Sequence, residues 1–194
     1  QQGSDTRSGL VVGSKLDTIV DLPRALSALE RKIEVGSILQ LIEHGTQGTD
    51  AARDVIAAYD AQKLPDSHDG GPIAVALGAV TLLAPIPRPP SMRDGYAFRQ
   101  HVETARRNRG LDMIAEFDQF PVFYFTNHQA VVGPGPVKVR ERHLERLDFE
   151  LEAAIVIGRE GRDLGAKDAD DYIFGMTIMN DFSARALQME EMKL

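Results

Sequence analysis

The stretch that decides the fold is LDFELEAAIVI, residues 147–157. Its polar and apolar residues alternate, and this pattern predicts a β-strand with two chemically different faces. Successive side chains of a strand point to opposite faces, so Phe149 and Leu151 share one face. Glu150 and Glu152 share the other, which makes this strand a place where two carboxylates stand side by side.

The two glutamates of this strand are placed to bind a cation. Glu150 and Glu152 lie about 6.6 Å apart along the backbone, so both side chains can reach one ion. On a covered face the two like charges repel each other and lose hydration, and a divalent cation removes that conflict. The alternative is a solvated face on which the two acids only keep the protein soluble.

Two more acids extend this hypothesis. Asp181 lies at the end of an apolar run, 172–182, which predicts a second strand just before an expected helix. Asp94 follows a proline-rich segment, and its alternative role is to cap the helix after it. Four carboxylates in a chain without cysteine favour a hard cation, Mg²⁺, Ca²⁺ or Mn²⁺, over zinc.

Three polar side chains are candidates for contact with a substrate. His101 follows Asp94 by seven residues, about two helical turns, and is a candidate to act beside a metal. The alternative for His101 is a histidine packed in the core. Arg185 and Gln188 are one helical turn apart and together suit a carboxylate or a carbonyl oxygen. The alternative for this pair is a solvated surface.

The patterns predict an α+β protein with two domains. Residues 1–80 form a small, partly helical N-terminal domain, and residues 81–194 are rich in strand patterns. The predicted helices are one capped by Asp21, then 37–44, 49–63 and 96–109, which Gly110 closes, and one capped by Ser183. The predicted strands are 121–126, 147–157 and 172–182, with a hairpin turn over 131–139.

Composition excludes several classes of protein. The 194 residues carry 22 basic and 29 acidic side chains, and the net charge of −7 is a poor match to nucleic acid or an anionic membrane. The longest apolar run, 73–86, is too short to span a bilayer, and the first residues lack a signal-peptide pattern. We therefore expect a cytoplasmic protein without nucleic-acid or membrane partners. The helical pattern at 189–194 has no stop signal, so we expect the native chain to continue.

Four segments together resemble the fumarylacetoacetate hydrolase superfamily. They are RDGYAFRQH at 93–101, VGPG at 132–135, LDFELE at 147–152 and FGMTIMNDFSAR at 174–185. Each segment alone is a weak signal, whereas their order and combined spacing are specific. The resemblance covers about residues 85–194.

The resemblance implies a mixed β-roll catalytic domain behind a smaller N-terminal domain, in a homodimer. It also implies roles for eight residues. Asp94, Glu150, Glu152 and Asp181 would hold the metal, Mg²⁺ or else Ca²⁺ or Mn²⁺; His101 would activate water; and Tyr96, Arg185 and Gln188 would contact the substrate.

The activity implied is that of a divalent-metal-dependent hydrolase that cleaves a carbon–carbon bond. Its substrate would be a small 1,3-dicarbonyl or acylpyruvate, such as fumarylacetoacetate or fumarylpyruvate, from the catabolism of aromatic compounds. The same metal site would also serve a 2-oxo acid decarboxylase, hydratase or isomerase, because each of these reactions needs a stabilised enolate. A truncated relative without catalytic activity is the remaining alternative.

Overall fold

The computed structural model describes residues 6–194, which contain both helices and antiparallel sheets. The chain forms two compact units. One joins the residues up to Leu82 with Gly135–Leu194, and the other is Leu83–Pro134. The α+β class is confirmed at the level of mixed helix and sheet, and the two domains 1–80 and 81–194 stay a prediction. Between residues 6 and 194 no helix is long and apolar enough to cross a membrane.

The N-terminal part of the first unit combines a small sheet with three helices. Its strands are β1 (Gly9–Val12), β2 (Thr18–Asp21), β3 (Ser67–His68), β4 (Gly71–Pro72) and β5 (Ala74–Ala76), and its helices are α1 (Leu22–Ala28), α2 (Ile38–Glu43) and α3 (Gly45–Asp60). The strands β1, β2 and β5 pair in this order, and β3 pairs with β4. The sequence predicted the helices but not this sheet, because strands this short show no clear alternation.

Two of these helices begin where a side chain caps them. Asp21 precedes α1, and its carboxylate accepts the backbone N–H of Arg24 at 3.0 Å. Ser37 precedes α2 and forms a capping box with Gln40. The start at Asp21 was predicted from its cap, which is a local signal. A helix was also predicted from residue 37, but its capping box is seen only in the structure. The third helix begins at Gly45, four residues before its predicted start.

Residues of this sheet and its helices form a hydrophobic core. Its largest fully buried side chains, each less than 2% exposed, are Val20, Leu22, Leu26, Val35, Val55 and Ile73. Burial of one such side chain stabilises the fold by about 1.5–3 kcal/mol. Phe174 also packs against this core, so the core helps to hold a segment from the other end of the chain.

The second unit contains a two-stranded ribbon and one α-helix. The ribbon pairs β6 (Arg93–Gly95) with β7 (Phe123–Phe125), and the helix is α4 (Arg99–Asn108). The predicted helix 96–109 is therefore too long at its start. Its end is as predicted: Gly110 has a φ of 70°, a conformation that glycine favours, and its N–H donates to the carbonyl of Arg107 at 3.0 Å.

The C-terminal part of the first unit is dominated by two long strands. Strand β8 (Leu147–Ile157) pairs antiparallel with β9 (Ile173–Ala184), and we call this pair the β8–β9 ribbon. A short helix, α5 (Glu141–Leu144), precedes the ribbon, and α6 (Arg185–Glu191) follows it. The predicted strand 147–157 is confirmed at both ends, and the strand predicted over 172–182 is confirmed to within two residues.

The two faces of the β8–β9 ribbon differ in exposure. Glu150 and Glu152 lie on the same face and are half-buried. On the opposite face Leu151 is 71% exposed and Ile178 is 78% exposed. The predicted alternation is confirmed, and the face that carries the acids is the more covered one. Ionised carboxylates on a partly covered face need a compensating charge.

Two predicted local features are wrong. No strand flanks the segment 131–139 within the described chain, so it is not a hairpin turn. Pro134 and Pro136 lack the N–H donors that a strand ladder needs. Ser183 pairs with Asp148 in the β8–β9 ribbon and does not cap a helix, because the ladder keeps it extended. Helix α6 begins two residues later, at Arg185.

Candidate metal centre

The register of the β8–β9 ribbon brings acids from two strands to one face. Glu150 and Asp181 are directly opposed, and Glu152 lies opposite Met179. Opposed residues in an antiparallel pair point to the same side of the sheet. Asp181 therefore joins Glu150 and Glu152 on the half-buried face.

Glu152 and Asp181 are close enough to share a metal ion. One carboxylate oxygen of Glu152 lies within 4.8 Å of one of Asp181, and both residues are half-buried. Two oxygens that each lie about 2.4 Å from a Ca²⁺ ion are at most about 4.8 Å apart, and Mg²⁺ at about 2.1 Å requires a closer pair. The two carboxylates therefore suit a hard divalent cation in spacing and in chemistry.

Glu150 is held by a cation that belongs to the chain itself. Arg185, the first residue of α6, places its Nη1 2.7 Å from Glu150 Oε1 and its Nε 3.2 Å from Asp148 Oδ2. The same Nη1 donates to Gln188 Oε1 at 3.1 Å. The structure thus brings Arg185 and Gln188, both predicted to contact substrate, against the acidic face. The role of Glu150 as a metal ligand stays a prediction.

These contacts change the acid–base properties of two side chains. The backbone N–H of Phe149, followed by the guanidinium of Arg185, lowers the pKa of Asp148 below its ordinary value. Partial burial lowers the pKa of Arg185, but hydrogen bonds to Glu150 and Asp148 outweigh it and leave that pKa raised. Asp148 and Arg185 are therefore both ionised at neutral pH, and their contact is an ion pair.

A small pocket adjoins the acidic face. Its volume is about 230 Å³, and it is lined by residues 181–184 at the end of β9 and by Leu187, Gln188 and Glu191 of α6. A pocket of this size accommodates a small molecule and not a drug-sized ligand. The proximity of a carboxylate and an amide in its wall fits the substrate contact predicted for Gln188.

The second unit carries the other predicted ligand, Asp94. It lies in β6 opposite Tyr124 of β7, and the Tyr124 hydroxyl donates to Asp94 Oδ2 at 2.5 Å. Asp94 does not cap α4, because that helix begins at Arg99 and Phe98 is the residue before it. The alternative role that the sequence left open for Asp94 is therefore wrong.

Tyr96 and His101 lie on either side of the start of α4. Their rings stack, with centroids 6.3 Å apart and an angle of 29° between the planes. Both side chains are exposed, so His101 is not a packed core histidine. An exposed imidazole is open to a substrate, and the catalytic role of His101 stays a prediction.

Two residues that contact the candidate site residues, Asp148 and Tyr124, were not predicted from the sequence. Asp148 shares the acidic face by alternation, which was the available signal, but its pairing with Arg185 depends on the strand register. Tyr124 lies between two phenylalanines in a predicted strand, and nothing local indicates that the opposing strand carries Asp94. Both contacts join segments that are distant in the sequence.

Residues 91–194, more than half of the chain, match the family model of the fumarylacetoacetate (FAA) hydrolase C-terminal domain. This stretch contains β6 to β9 and all eight residues to which a site role was assigned. The family match and the candidate site therefore coincide in the same part of the sequence.

Two similar proteins are named as oxaloacetate tautomerases. YisK of Bacillus subtilis (strain 168) is 33% identical over 186 residues, which cover 93% of this chain and 57% of YisK. Mitochondrial Fahd2a of Rattus norvegicus is 27% identical over 158 residues, which cover 81% of this chain and 44% of Fahd2a. The chain spans about half the length of these relatives.

A solved structure is similar in fold. Fumarylacetoacetate hydrolase from the psychrophilic Exiguobacterium antarcticum matches with a TM-score of 0.56 and 24% identity. The match covers 96% of this chain and 55% of that chain. This likeness supports a shared fold, which agrees with the family match in the C-terminal part.

Proposed function

Because the chain belongs to the fumarylacetoacetate hydrolase family, we propose that it is a divalent-metal-dependent enzyme that converts a small 2-oxo acid through its enolate. The first candidate reaction is the keto–enol tautomerisation of oxaloacetate, the activity named for YisK and Fahd2a. The observation that carries the proposal is the approach of Glu152 to Asp181 on the face where Arg185 is also held.

In this proposal Glu152 and Asp181 hold the cation, with Asp94 and Glu150 as further ligands. Members of the family use a divalent metal, and oxygen ligands favour Mg²⁺, with Ca²⁺ and Mn²⁺ as alternatives. Tyr124 supports the assignment of Asp94, because its hydrogen bond orients the carboxylate as an outer partner of a metal ligand does.

Each remaining residue has a role in tautomerisation. The bound ion supplies electrostatic stabilisation of the enolate oxygen. Arg185 and Gln188 bind the substrate's carboxylate and carbonyl oxygens through N–H donors. His101 takes a proton from C3 of the oxo acid and delivers a proton to the C2 oxygen, since imidazole accepts and donates protons near neutral pH. Tyr96 orients that imidazole by stacking on it.

The metal assignment is tested by titrating Mg²⁺ into the protein in a calorimeter. Glu152→Ala and Glu150→Ala are each expected to abolish Mg²⁺ binding, because each removes a charged ligand. Asp163→Asn is the matched control, since Asp163 is about 90% exposed and its partner is the neighbouring Arg162. Unchanged Mg²⁺ titration of the two glutamate variants would refute the assignment.

The reaction is tested on oxaloacetate prepared in its enol form. Its ultraviolet absorbance is expected to decay faster with the protein and Mg²⁺ than with Mg²⁺ alone, and a chelator is expected to remove the difference. Product analysis by mass distinguishes tautomerisation, which leaves the mass unchanged, from decarboxylation and from hydration. Equal decay with and without the protein contradicts the tautomerase, and only the further absence of acylpyruvate hydrolysis supports the truncated relative without activity.

The second candidate reaction is hydrolysis of a carbon–carbon bond in an acylpyruvate or another 1,3-dicarbonyl. It is favoured by His101, an exposed imidazole in the same unit as Asp94, which in this proposal takes a proton from an attacking water. His101→Ala is expected to lower turnover by about 10²–10⁴-fold with Mg²⁺ affinity retained. Normal hydrolysis of an acylpyruvate by this variant would defeat that role.

The assembly is a further part of the proposal. The β8–β9 ribbon belongs to a mixed β-roll, and the protein is a homodimer, as the family resemblance implies. The exposed apolar face around Leu151 and Ile178 supports both points, since such surfaces are normally covered. Light scattering coupled to size exclusion measures the oligomeric state, and a monomer at all concentrations contradicts the dimer.

A further inference from the structure

Arg185 is tied to the start of β8 through both its backbone and its side chain. Its backbone N–H donates to the carbonyl of Arg146 at 3.1 Å, directly after the last ladder pair, which joins Leu147 to Ala184. Its Nε donates to Asp148 Oδ2 at 3.2 Å. Arg185 is therefore held at two points, the carbonyl of Arg146 just before β8 and the carboxylate of Asp148 within it.

Asp148 is itself a fixed acceptor. Its Oδ1 accepts the backbone N–H of Phe149 at 2.9 Å, which leaves Oδ2 for Arg185. A hydrogen bond from a guanidinium to a carboxylate is directional and stronger than a neutral one. Asp148 is therefore suited to orient Arg185, although its side chain is 53% exposed.

Glu150 also contacts Arg185, but its carboxylate has a second proposed task. Its Oε1 lies 2.7 Å from Arg185 Nη1, and the same group is a proposed metal ligand. A carboxylate that turns toward a metal gives up part of its contact with a guanidinium. Asp148 then remains to hold Arg185. It lies two residues before Glu150 on the same face, and it is opposed by Ser183 and not by Asp181.

We propose that Asp148 is a positioning residue, which keeps the guanidinium of Arg185 aligned for the substrate's carboxylate while Glu150 serves the metal. This inference rests on the proposed function, which assigns substrate contact to Arg185. The contacts with Asp148, Glu150 and Gln188 use Nε and Nη1. A guanidinium has five N–H donors, and in this proposal those on Nη2 bind the substrate's carboxylate.

The first test measures Arg185 directly and needs no activity. In ¹⁵N nuclear magnetic resonance of the full chain with Mg²⁺, the Nε–H of Arg185 is expected to give a shifted, slowly exchanging signal. Asp148→Asn is expected to move that signal to the position of a solvated arginine, and Asp148→Glu to restore part of the shift. Asp163→Asn, the exposed control, leaves the signal unchanged.

The second test separates binding from chemistry. Asp148→Asn is expected to raise the KM for oxaloacetate about tenfold, the loss of roughly one charged hydrogen bond, while kcat and the Mg²⁺ dissociation constant stay within about twofold. Thermal unfolding of the variant checks that the fold is kept.

The outcomes of the two tests are distinct. An Arg185 signal that is the same in Asp148→Asn and in the unmodified chain overturns the positioning role. A large fall in Mg²⁺ affinity also overturns it, because Asp148 is then a ligand. If the unmodified protein converts no oxaloacetate, the proposed tautomerase reaction fails, and the resonance test still decides whether Asp148 positions Arg185.

Discussion

The N-terminal core and the β8–β9 ribbon use their side chains in opposite ways. In the core, Leu26 is 1% exposed and lies among other aliphatic side chains of the sheet and helices. In the ribbon, Leu151 is 71% exposed, whereas Glu150 and Glu152 on the other face are half-buried. The N-terminal core buries aliphatic side chains, whereas the β8–β9 ribbon partly buries charged ones.

By this difference, the N-terminal core is the part of the chain that stabilises the fold. The ribbon carries the side chains that we propose bind the metal and the substrate. Burial of aliphatic side chains contributes about 25 cal/mol per Å² of apolar surface. Carboxylates lose hydration when they are covered, and only a counter charge offsets that loss. In the ribbon Arg185 supplies such a charge for Asp148 and Glu150, and a metal ion would supply it for Glu152 and Asp181.

The largest effect is expected from matched leucine truncations in the two regions. Leu26→Ala leaves a cavity among packed residues and is expected to lower the free energy of unfolding by about 2–5 kcal/mol. In the dissociated subunit, where the apolar face is exposed, Leu151→Ala is expected to change it by no more than about 0.5 kcal/mol. Urea unfolding at a protein concentration that keeps the subunits apart measures both values. A loss for Leu151→Ala that arises only where the proposed dimer forms would show that the dimer covers this face, whereas equal losses in the dissociated subunit would break the comparison.

A smaller effect is expected at the helix starts of the two regions. Asp21 caps α1 and pairs with Arg24 at 2.8 Å, so Asp21→Ala is expected to cost about 1–2 kcal/mol of stability. Ser183 lies near the start of α6 but does not cap it, so Ser183→Ala is expected to cost less than about 0.5 kcal/mol. A cost above 1 kcal/mol for the serine variant would show that it caps α6 in solution.

The smallest effect is expected from a change of pH. It sharpens the comparison, because the stabilisation by the hydrophobic core does not depend on pH, whereas that by the charged side chains of the ribbon does. The pKa of Asp148 is lowered in the folded protein, so its stabilising contribution is present above the unfolded value of about 3.9. That contribution is lost as the pH falls through the lower folded value. The unfolding midpoints of the unmodified chain and Asp148→Asn are expected to differ at pH 6 and to converge once the pH falls below the lowered pKa of Asp148 in the folded protein. A constant difference would contradict the lowered pKa.

Much of the fold was predictable from local patterns. The cap at Asp21 and the alternation over 147–157 each depend on a few neighbouring residues, and the structure confirms both. The predicted helix 96–109 began too early, because Phe98 supplies no cap that would mark the start. The N-terminal sheet was missed, because its short strands are defined by their partners.

The candidate site was predictable as a set of residue types but not as a set of contacts. Alternation identified Glu150 and Glu152 as neighbours on one face. The position of Asp181 opposite Glu150 follows from the pairing of two strands. The contact of Glu150 with Arg185, which changes what this acid is available to do, could not be read from either segment alone.

The sequence by itself determined where the long strands and the helix capped by Asp21 form and which side chains share a face, because these properties depend on the backbone period and on nearby caps. The tertiary structure alone decided the register that brings Asp181 beside the glutamates, and it decided which face of the β8–β9 ribbon is covered. Those choices depend on contacts between distant segments, and a local pattern carries no information about its partner.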